Sequence, residues 1–146
     1  MGRFILILIS HRGNTNGPNP NMENKPEYVL DAKLKGYDVE IDVWYQNDEF
    51  YLGHDNPVDK VSKDYLKNNS LWCHAKNFES LQKMLENGIH CFFHDTDKYT
   101  LTSKNYIWAF PGIDGGENTI AVKPEGKNLN LKKFSGICSD NIINYK

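Results

Sequence analysis

The sequence predicts an α/β fold, a reduced (β/α) TIM-like barrel with most outer helices missing from its second half. In the first half, strand-like apolar runs alternate with helical patterns, which is typical of parallel strands joined by crossover helices. In the second half, the candidate strands 105–110, 119–122 and 135–139 follow connectors of only ten, eight and twelve residues. A parallel crossover usually needs a dozen or more residues, so these connectors hold single helical turns or bare loops. A complete barrel takes about 250 residues, and this chain has 146.

The elements of the first half follow from apolar spacing and from helix start and stop signals. The predicted strands are residues 4–9, 37–45, 71–76 and 89–94, with a short returning strand at 50–52. The predicted helices are residues 25–36, 58–69 and 78–87, the second of them weak. The inner face of the first helix is predicted to carry Tyr28, Leu30 and Leu34. The inner face of the last is predicted to carry Phe78, Leu81, Met84 and Leu85.

Length and composition indicate a single soluble domain over residues 1–146, with 39% hydrophobic residues to form its core. Seventeen basic and nineteen acidic residues give a net charge of -2, which argues against nucleic acid as a partner. No apolar run approaches the length of a transmembrane segment, and the apolar start is too short for a signal peptide. We therefore expect a cytoplasmic protein whose three cysteines, Cys73, Cys91 and Cys138, are buried free thiols.

The candidate site begins with two carboxylates on the second strand. Glu40 and Asp42 are two positions apart and therefore share one face of that strand. Their repulsion is relieved by solvent, by a shared proton or by a cation, and burial at a strand end favours the cation. The returning strand brings His54 back toward them, while His11 and Arg12 end the first strand. Such a carboxylate pair is also common on solvated strand edges, and a histidine after a hairpin is often inert.

Three motifs in this order resemble the glycerophosphodiester phosphodiesterase family: H-R-G at 11–13, E-I-D at 40–42 and G-H-D at 53–55. Weaker matches are His74-Ala75-Lys76 and Cys138-Ser139-Asp140. The resemblance implies cleavage of a glycerophosphodiester-like or lysophospholipid-type phosphodiester, with one divalent metal ion as cofactor. It implies that His11 and His54 are the general acid and base, that Glu40 and Asp42 bind the metal, and that Arg12 and Lys76 bind the phosphate.

The chain departs from the family at His74, which stands where the family has a carboxylate ligand. The resemblance implies Mg²⁺ or Ca²⁺. An imidazole beside two carboxylates also suits Mn²⁺ or Zn²⁺, so the sequence leaves the metal open. We take Glu40, Asp42 and His74 as the predicted ligands, with the alternative that His74 only makes a hydrogen bond at the mouth of the barrel.

Further candidates lie at the ends of later strands, where a structural role is at least as common as a functional one. They are His94, Asp95, Trp108 and Asp140. Of these, Trp108 is the candidate for substrate binding, although an aromatic residue in such an apolar strand is more often part of the core.

Two other functions stay open: a catalytically silent module that binds phosphate esters, and a metal-dependent enzyme acting on a sugar without phosphate. The paired histidines favour the phosphodiesterase, because a binding module has no use for both. The expected partner is a small phosphodiester substrate. A homo-oligomer is expected as well, because strands without outer helices expose apolar surface that a second copy covers.

Overall fold

The structure is a computed structural model that describes residues 6–146. The ten strands are β1 Ile7–His11, β2 Asp38–Gln46, β3 Glu49–Leu52, β4 Asp59–Val61, β5 Leu71–Ala75, β6 Cys91–Phe92, β7 Tyr99–Leu101, β8 Ile107–Ala109, β9 Thr119–Val122 and β10 Gly136–Ser139. The α-helices are α1 Pro26–Leu34, α2 Lys63–Leu66 and α3 Phe78–Glu86. Two 3-10 turns follow, Leu131–Lys133 and Ile142–Tyr145. Residues 4 and 5 of the predicted first strand lie outside the described part of the chain.

All ten strands belong to one mixed sheet with β2 near its centre. Parallel pairing runs β6-β5-β2-β1-β10-β9-β8, and β7 adds to β8 in antiparallel orientation. Strand β2 has nine residues and pairs with three other strands. Its first part pairs with β1 and its middle with β5, while its last four residues form an antiparallel hairpin with β3.

The predicted TIM-like barrel is wrong, because the sheet is open. Within residues 6–146, β6 and β8 do not pair, and the covering helices are only three and short. Strand β6 has only two residues, and β7 turns back antiparallel along β8, so neither end of the sheet offers a full parallel edge to the other. The expectation that no long helix follows residue 94 is confirmed, since only the two 3-10 turns lie there.

The sheet is strongly curled although it is open. Phe92 of β6 and Trp108 of β8 are not on neighbouring strands, yet their ring centroids are 4.6 Å apart. Trp72 of β5 also approaches Trp108, at 5.8 Å. These rings fill the concave face together with buried aliphatic side chains from β1 and β9. The concave face is the one that carries Glu40 and Asp42, because Val39, Ile41 and Val43 point into a different apolar cluster.

That second cluster packs α1 and α3 against the convex face of the sheet. It confirms the predicted inner positions Leu81 and Met84 of α3 and corrects other predicted positions on both helices. Leu34 is 77% exposed and Phe78 is 67% exposed, and Leu30 and Leu85 are also exposed. The buried positions are Val29, Ala32, Ser80 and Met84. The helices have nine residues each, and the stripe that each one buries is narrower than its apolar spacing predicts.

The predicted burial of the three cysteines is confirmed, and all are free thiols. In residues 6–146, no helix combines the length and the apolar character that crossing a membrane requires.

Candidate metal centre

The three predicted metal ligands come together on the concave face of the sheet. Glu40 and Asp42 lie on β2, and the parallel register with β5 places Asp42 beside His74. One ligand atom from each of the three residues lies within 4.8 Å of the others. The Nδ1 atom of His74 is 3.4 Å from Oδ1 of Asp42 and 3.7 Å from Oε2 of Glu40. The group therefore has the composition and spacing of a site for a divalent cation.

Burial and hydrogen bonding test whether a cation fits this group. Glu40 and Asp42 are buried, and Oε1 of Glu40 and Oδ1 of Asp42 have no hydrogen-bond partner among the described residues. Leaving a buried carboxylate oxygen unpaired is costly, and coordination to a metal is one of the few ways to satisfy it. The two carboxylates and His74 therefore fit a divalent cation.

The tautomer of His74 follows from its second ring nitrogen. Its Nε2 atom lies 2.9 Å from the backbone carbonyl oxygen of His94. A carbonyl oxygen can only accept, so Nε2 carries a proton and donates it. In the neutral ring, the lone pair is then on Nδ1, which faces the carboxylates. Metal-binding histidines typically donate their other ring nitrogen in this way.

Without a metal, a proton occupies the same position. Burial lowers the pKa of His74, but the adjacent carboxylates of Asp42 and Glu40 outweigh burial and raise it to about 9. Burial raises the pKa of Asp42, but the adjacent imidazole of His74 and the charge of Arg12 outweigh burial and lower it to about 2. The two carboxylates therefore stabilise a positive charge at this position.

Arg12 and Asn24 hold the second oxygen of Asp42. The Nε atom of Arg12 is 3.1 Å from Oδ2 of Asp42, and Nδ2 of Asn24 donates to the same oxygen at 2.9 Å. The backbone N–H of Asp42 donates to Oδ1 of Asn24 in return, at 2.8 Å. Both Arg12 and Asn24 have left-handed backbone conformations, with φ of 60° and 68°, and Asn is among the residues that tolerate them best. This leaves only Oδ1 of Asp42 for the cation.

His11 lies on the other side of Glu40 and has its own carboxylate partner. Its Nδ1 atom is 2.7 Å from Oδ1 of Asp140, and its Nε2 atom is 3.8 Å from Oε1 of Glu40. Asn14 also donates to Oδ1 of Asp140, at 2.9 Å, and so fixes that carboxylate. Burial lowers the pKa of His11, but the hydrogen bond to Asp140 and the charge of Glu40 outweigh it and raise the pKa above its ordinary value. The result is an oriented imidazole beside the metal centre.

A cavity of about 220 Å³ opens above these groups. One wall is polar and the other is apolar. The polar wall consists of His11, Arg12, Glu40, His74, His94 and Asp95. The apolar wall consists of Trp108, Phe110, Pro111 and Val122. Trp108 is therefore a core residue that also lines the cavity, and its part in substrate binding stays a prediction.

Two of the predicted residues lie elsewhere. His54 lines an adjoining cavity of about 340 Å³, where its Nδ1 atom is 2.9 Å from Oδ1 of Asp55. Arg12 lines both cavities and so lies between His54 and the metal centre. Lys76 is half-buried after β5 and is not among the described residues that line either cavity.

The residues that the sequence did not assign to the site come mostly from the loop before α1. They are Asn14, Glu23 and Asn24, and each contacts Arg12, Asp42 or Asp140. The sequence predicts a long loop of Gly, Asn and Pro at this face, but loop composition does not indicate which asparagine meets a carboxylate. Asp140, a further candidate from its position after the last strand and from the weaker Cys138-Ser139-Asp140 match, is the partner of His11.

Comparisons of the chain with protein family models, with curated proteins and with solved structures find no match. The resemblance to the glycerophosphodiester phosphodiesterases therefore rests on the sequence motifs alone and stays a prediction.

Proposed function

We propose that the chain is a metal-dependent phosphodiesterase acting on a glycerophosphodiester-like or lysophospholipid-type substrate. The observation that carries the proposal is the buried group of Glu40, Asp42 and His74 next to an oriented His11. Metal ligands beside a proton-transfer group are what the cleavage of a phosphodiester requires.

The charge of the cavity supports the metal dependence. Two buried carboxylates, Glu40 and Asp42, would repel an anionic phosphodiester, and Arg12 is already paired with Asp42 and Glu23. When bound by Glu40, Asp42 and His74, a divalent cation would supply Lewis-acid polarisation of a phosphoryl oxygen. Arg12 lies beside this position and adds fixed positive charge that is shared by the two cavities.

His11 is the proposed general base. Asp140 accepts the Nδ1 proton of the neutral ring, which leaves the lone pair on Nε2, the nitrogen that is nearer to Glu40 and the metal ligands. That nitrogen takes the proton of the attacking hydroxyl as its oxygen bonds to phosphorus. His54, across Arg12 in the adjoining cavity, is the proposed acid, which gives a proton to the leaving oxygen as the second phosphorus–oxygen bond breaks.

A catalytically silent binding module is the alternative from a different class. It would use Arg12 and the metal centre, and it would not need an imidazole that a carboxylate holds in one tautomer. The contact between His11 and Asp140 therefore favours the enzyme.

A cytoplasmic location and self-association belong to the same proposal. Three buried free thiols suit a reducing compartment. Tyr99 and Leu101 are exposed on the edge strand β7, where a second copy could cover them. Analytical ultracentrifugation of the protein and of a Leu101→Lys variant tests the self-association.

The direct test is hydrolysis of a panel of phosphodiesters by chelator-treated and metal-reconstituted protein. The panel contains bis-p-nitrophenyl phosphate, glycerophosphocholine and lysophosphatidylcholine. We expect chelation to abolish cleavage and divalent metal to restore it, but not in Glu40→Gln, which keeps the shape of the side chain and removes its charge. Full activity of metal-free protein would refute the metal dependence. Binding of a non-hydrolysable diester without cleavage of any substrate would favour the binding module.

A further inference from the structure

The donor set of the metal centre is two carboxylates and one imidazole nitrogen. Hard cations such as Mg²⁺ and Ca²⁺ are bound almost entirely by oxygen, while imidazole suits zinc and the transition ions. The Nδ1 atom of His74 lies beside the carboxylate oxygens, 3.4 Å from Oδ1 of Asp42 and 3.7 Å from Oε2 of Glu40. Any cation bound by both carboxylates therefore also meets this nitrogen.

The ring of His74 is held in the orientation that presents Nδ1. Its Nε2 atom donates to the carbonyl oxygen of His94, and its plane is stacked on Phe92 at 5.2 Å with an angle of 9°. Phe92 is itself buried in the concave core. A ring fixed by a hydrogen bond and by stacking cannot turn its nitrogen away without breaking both contacts, so a nitrogen ligand is built into the site.

The oxygen ligands are too few for a calcium site. Oδ2 of Asp42 is engaged by Arg12 and Asn24, so this carboxylate offers one oxygen. Glu40 offers two at most, which brings the oxygens of the group to three. Calcium takes about six to eight oxygens. Three protein ligands with the remaining positions open are the usual arrangement of a catalytic zinc ion.

We propose that Glu40, Asp42 and His74 bind a nitrogen-accepting first-row ion, Mn²⁺, Fe²⁺, Co²⁺ or Zn²⁺, in preference to Mg²⁺ or Ca²⁺. This inference rests on the proposed function only in that it concerns the same site. The side chain that decides the preference is His74. Without His74, the oxygen ligands would suit Mg²⁺ as well as a first-row ion.

Direct detection of the nitrogen ligand is the first part of the test. Pulsed electron paramagnetic resonance of Mn²⁺-loaded protein should show coupling to a coordinated ¹⁴N nucleus, which changes to the ¹⁵N pattern when the histidines are labelled. We expect His74→Asp to lose the coupling. His94→Ala is the matched control and should keep it, because the backbone carbonyl of His94, and not its ring, holds His74. Mn²⁺ bound to the parent without nitrogen coupling would overturn the inference, and this result does not depend on the folding of any variant.

Metal affinity is the second part, measured by isothermal titration of the parent and of His74→Asp, with circular dichroism to establish folding. A further carboxylate should lower the ratio of Zn²⁺ to Mg²⁺ affinity by at least about tenfold. A ratio that is equal in the two proteins would overturn the inference, as would a parent that binds Mg²⁺ or Ca²⁺ as tightly as Zn²⁺.

The outcomes separate this inference from the proposed function. A nitrogen-ligated ion in a protein that cleaves no phosphodiester would support the metal assignment and refute the enzyme. Cleavage supported by Mg²⁺ without nitrogen coupling in the Mn²⁺ protein would support the enzyme and refute the metal assignment. A parent that binds neither class of ion would overturn both.

Discussion

Nδ1 of His11 and Oδ1 of Asp140 lie 2.7 Å apart although 129 positions of the chain separate the two residues. The first and last strands are parallel neighbours, with Ser10 in register with Ser139, so their carboxyl ends meet at the same edge of the sheet. Asn14 donates to the same oxygen of Asp140 at 2.9 Å. The orientation of the proposed base therefore depends on pairing between the two ends of the domain.

Asp140→Asn should lower turnover by about a hundredfold or more. The amide can present its N–H to His11 and so favour the tautomer that has its proton on Nε2, which cannot act as the base. Substrate affinity and metal affinity should stay close to the parent, since Asp140 is not one of the metal ligands. Steady-state kinetics at saturating metal and a metal titration test whether turnover falls while both affinities are unchanged.

Asp95→Asn is the matched control for charge. Asp95 lines the same cavity, and the contacts of His11 described above do not include it. Its loss should lower turnover far less than the loss of Asp140. Parent-like turnover in Asp140→Asn would show that the carboxylate has no part in positioning His11.

The stability of the fold should fall in mild acid because of His90. Burial, and then the positive charge of Lys104, lower the pKa of His90 to about 4, while Nε2 keeps a 2.8 Å hydrogen bond with Thr102. Above about pH 6.5 the ring is neutral in both the folded and the unfolded state, so it does not lower the free energy of unfolding. As the pH falls toward 4, only the unfolded chain binds the proton. The free energy of unfolding then decreases by up to about 1.4 kcal/mol per pH unit.

Urea denaturation of the parent and of His90→Gln at several pH values between about 7 and about 4.5 measures this contribution. Other groups titrate in this range in both proteins, so the difference between the two curves isolates His90. Asp38 and Lys67 line the same cavity as His90 and remain in both proteins. Equal slopes for parent and variant would contradict the prediction.

The candidate metal site could be predicted because its signal is local. Alternation along one strand puts Glu40 and Asp42 on the same face, and parallel neighbours place His74 at the same level. His54 shows the limit of this reasoning. Strand β3 runs back along β2, but the position of the residues that follow β3 depends on the twist of the two strands. Here His54 lies in the adjoining cavity.

The openness of the sheet could not be predicted from element lengths alone. Whether β6 meets β8 depends on how far seven strands curl, and the curl is set by side chains such as Phe92 and Trp108 that meet across the concave face. The helix faces were predicted only in part. Apolar spacing found Leu81 and Met84 of α3, but which side of a leucine-containing stripe meets the sheet depends on how the helix is rotated against it, and Leu34 and Leu85 are exposed.

Met84→Ala should destabilise the protein by about 2–5 kcal/mol, because Met84 is 0% exposed between α3 and the sheet and its truncation leaves a cavity. Leu85→Ala is the matched control on the neighbouring position. Leu85 is 54% exposed, so its change should stay within about 0.5 kcal/mol. Urea denaturation of both variants measures the difference. A larger loss for Leu85 than for Met84 would show that α3 does not pack against the sheet through Met84.

The last prediction concerns the two histidines, since they divide the proposed proton transfers between two cavities. His11→Ala and His54→Ala should each reduce turnover by at least about a hundredfold, with little change in the affinity for a non-hydrolysable diester. Lys76→Ala is the control that removes a positive charge from outside both cavities, and it should stay close to the parent.

Single-turnover rates and equilibrium binding, both at saturating metal, distinguish the outcomes. If His11→Ala keeps parent-like turnover, the proton-transfer mechanism fails altogether. If only His54→Ala does so, the leaving oxygen takes its proton from elsewhere and the adjoining cavity has no part in the chemistry. If both variants lose affinity while the single-turnover rate at saturating substrate is unchanged, the histidines only bind substrate and the proposed proton transfers fail, because an interaction made equally in the ground and transition states does not accelerate the chemical step.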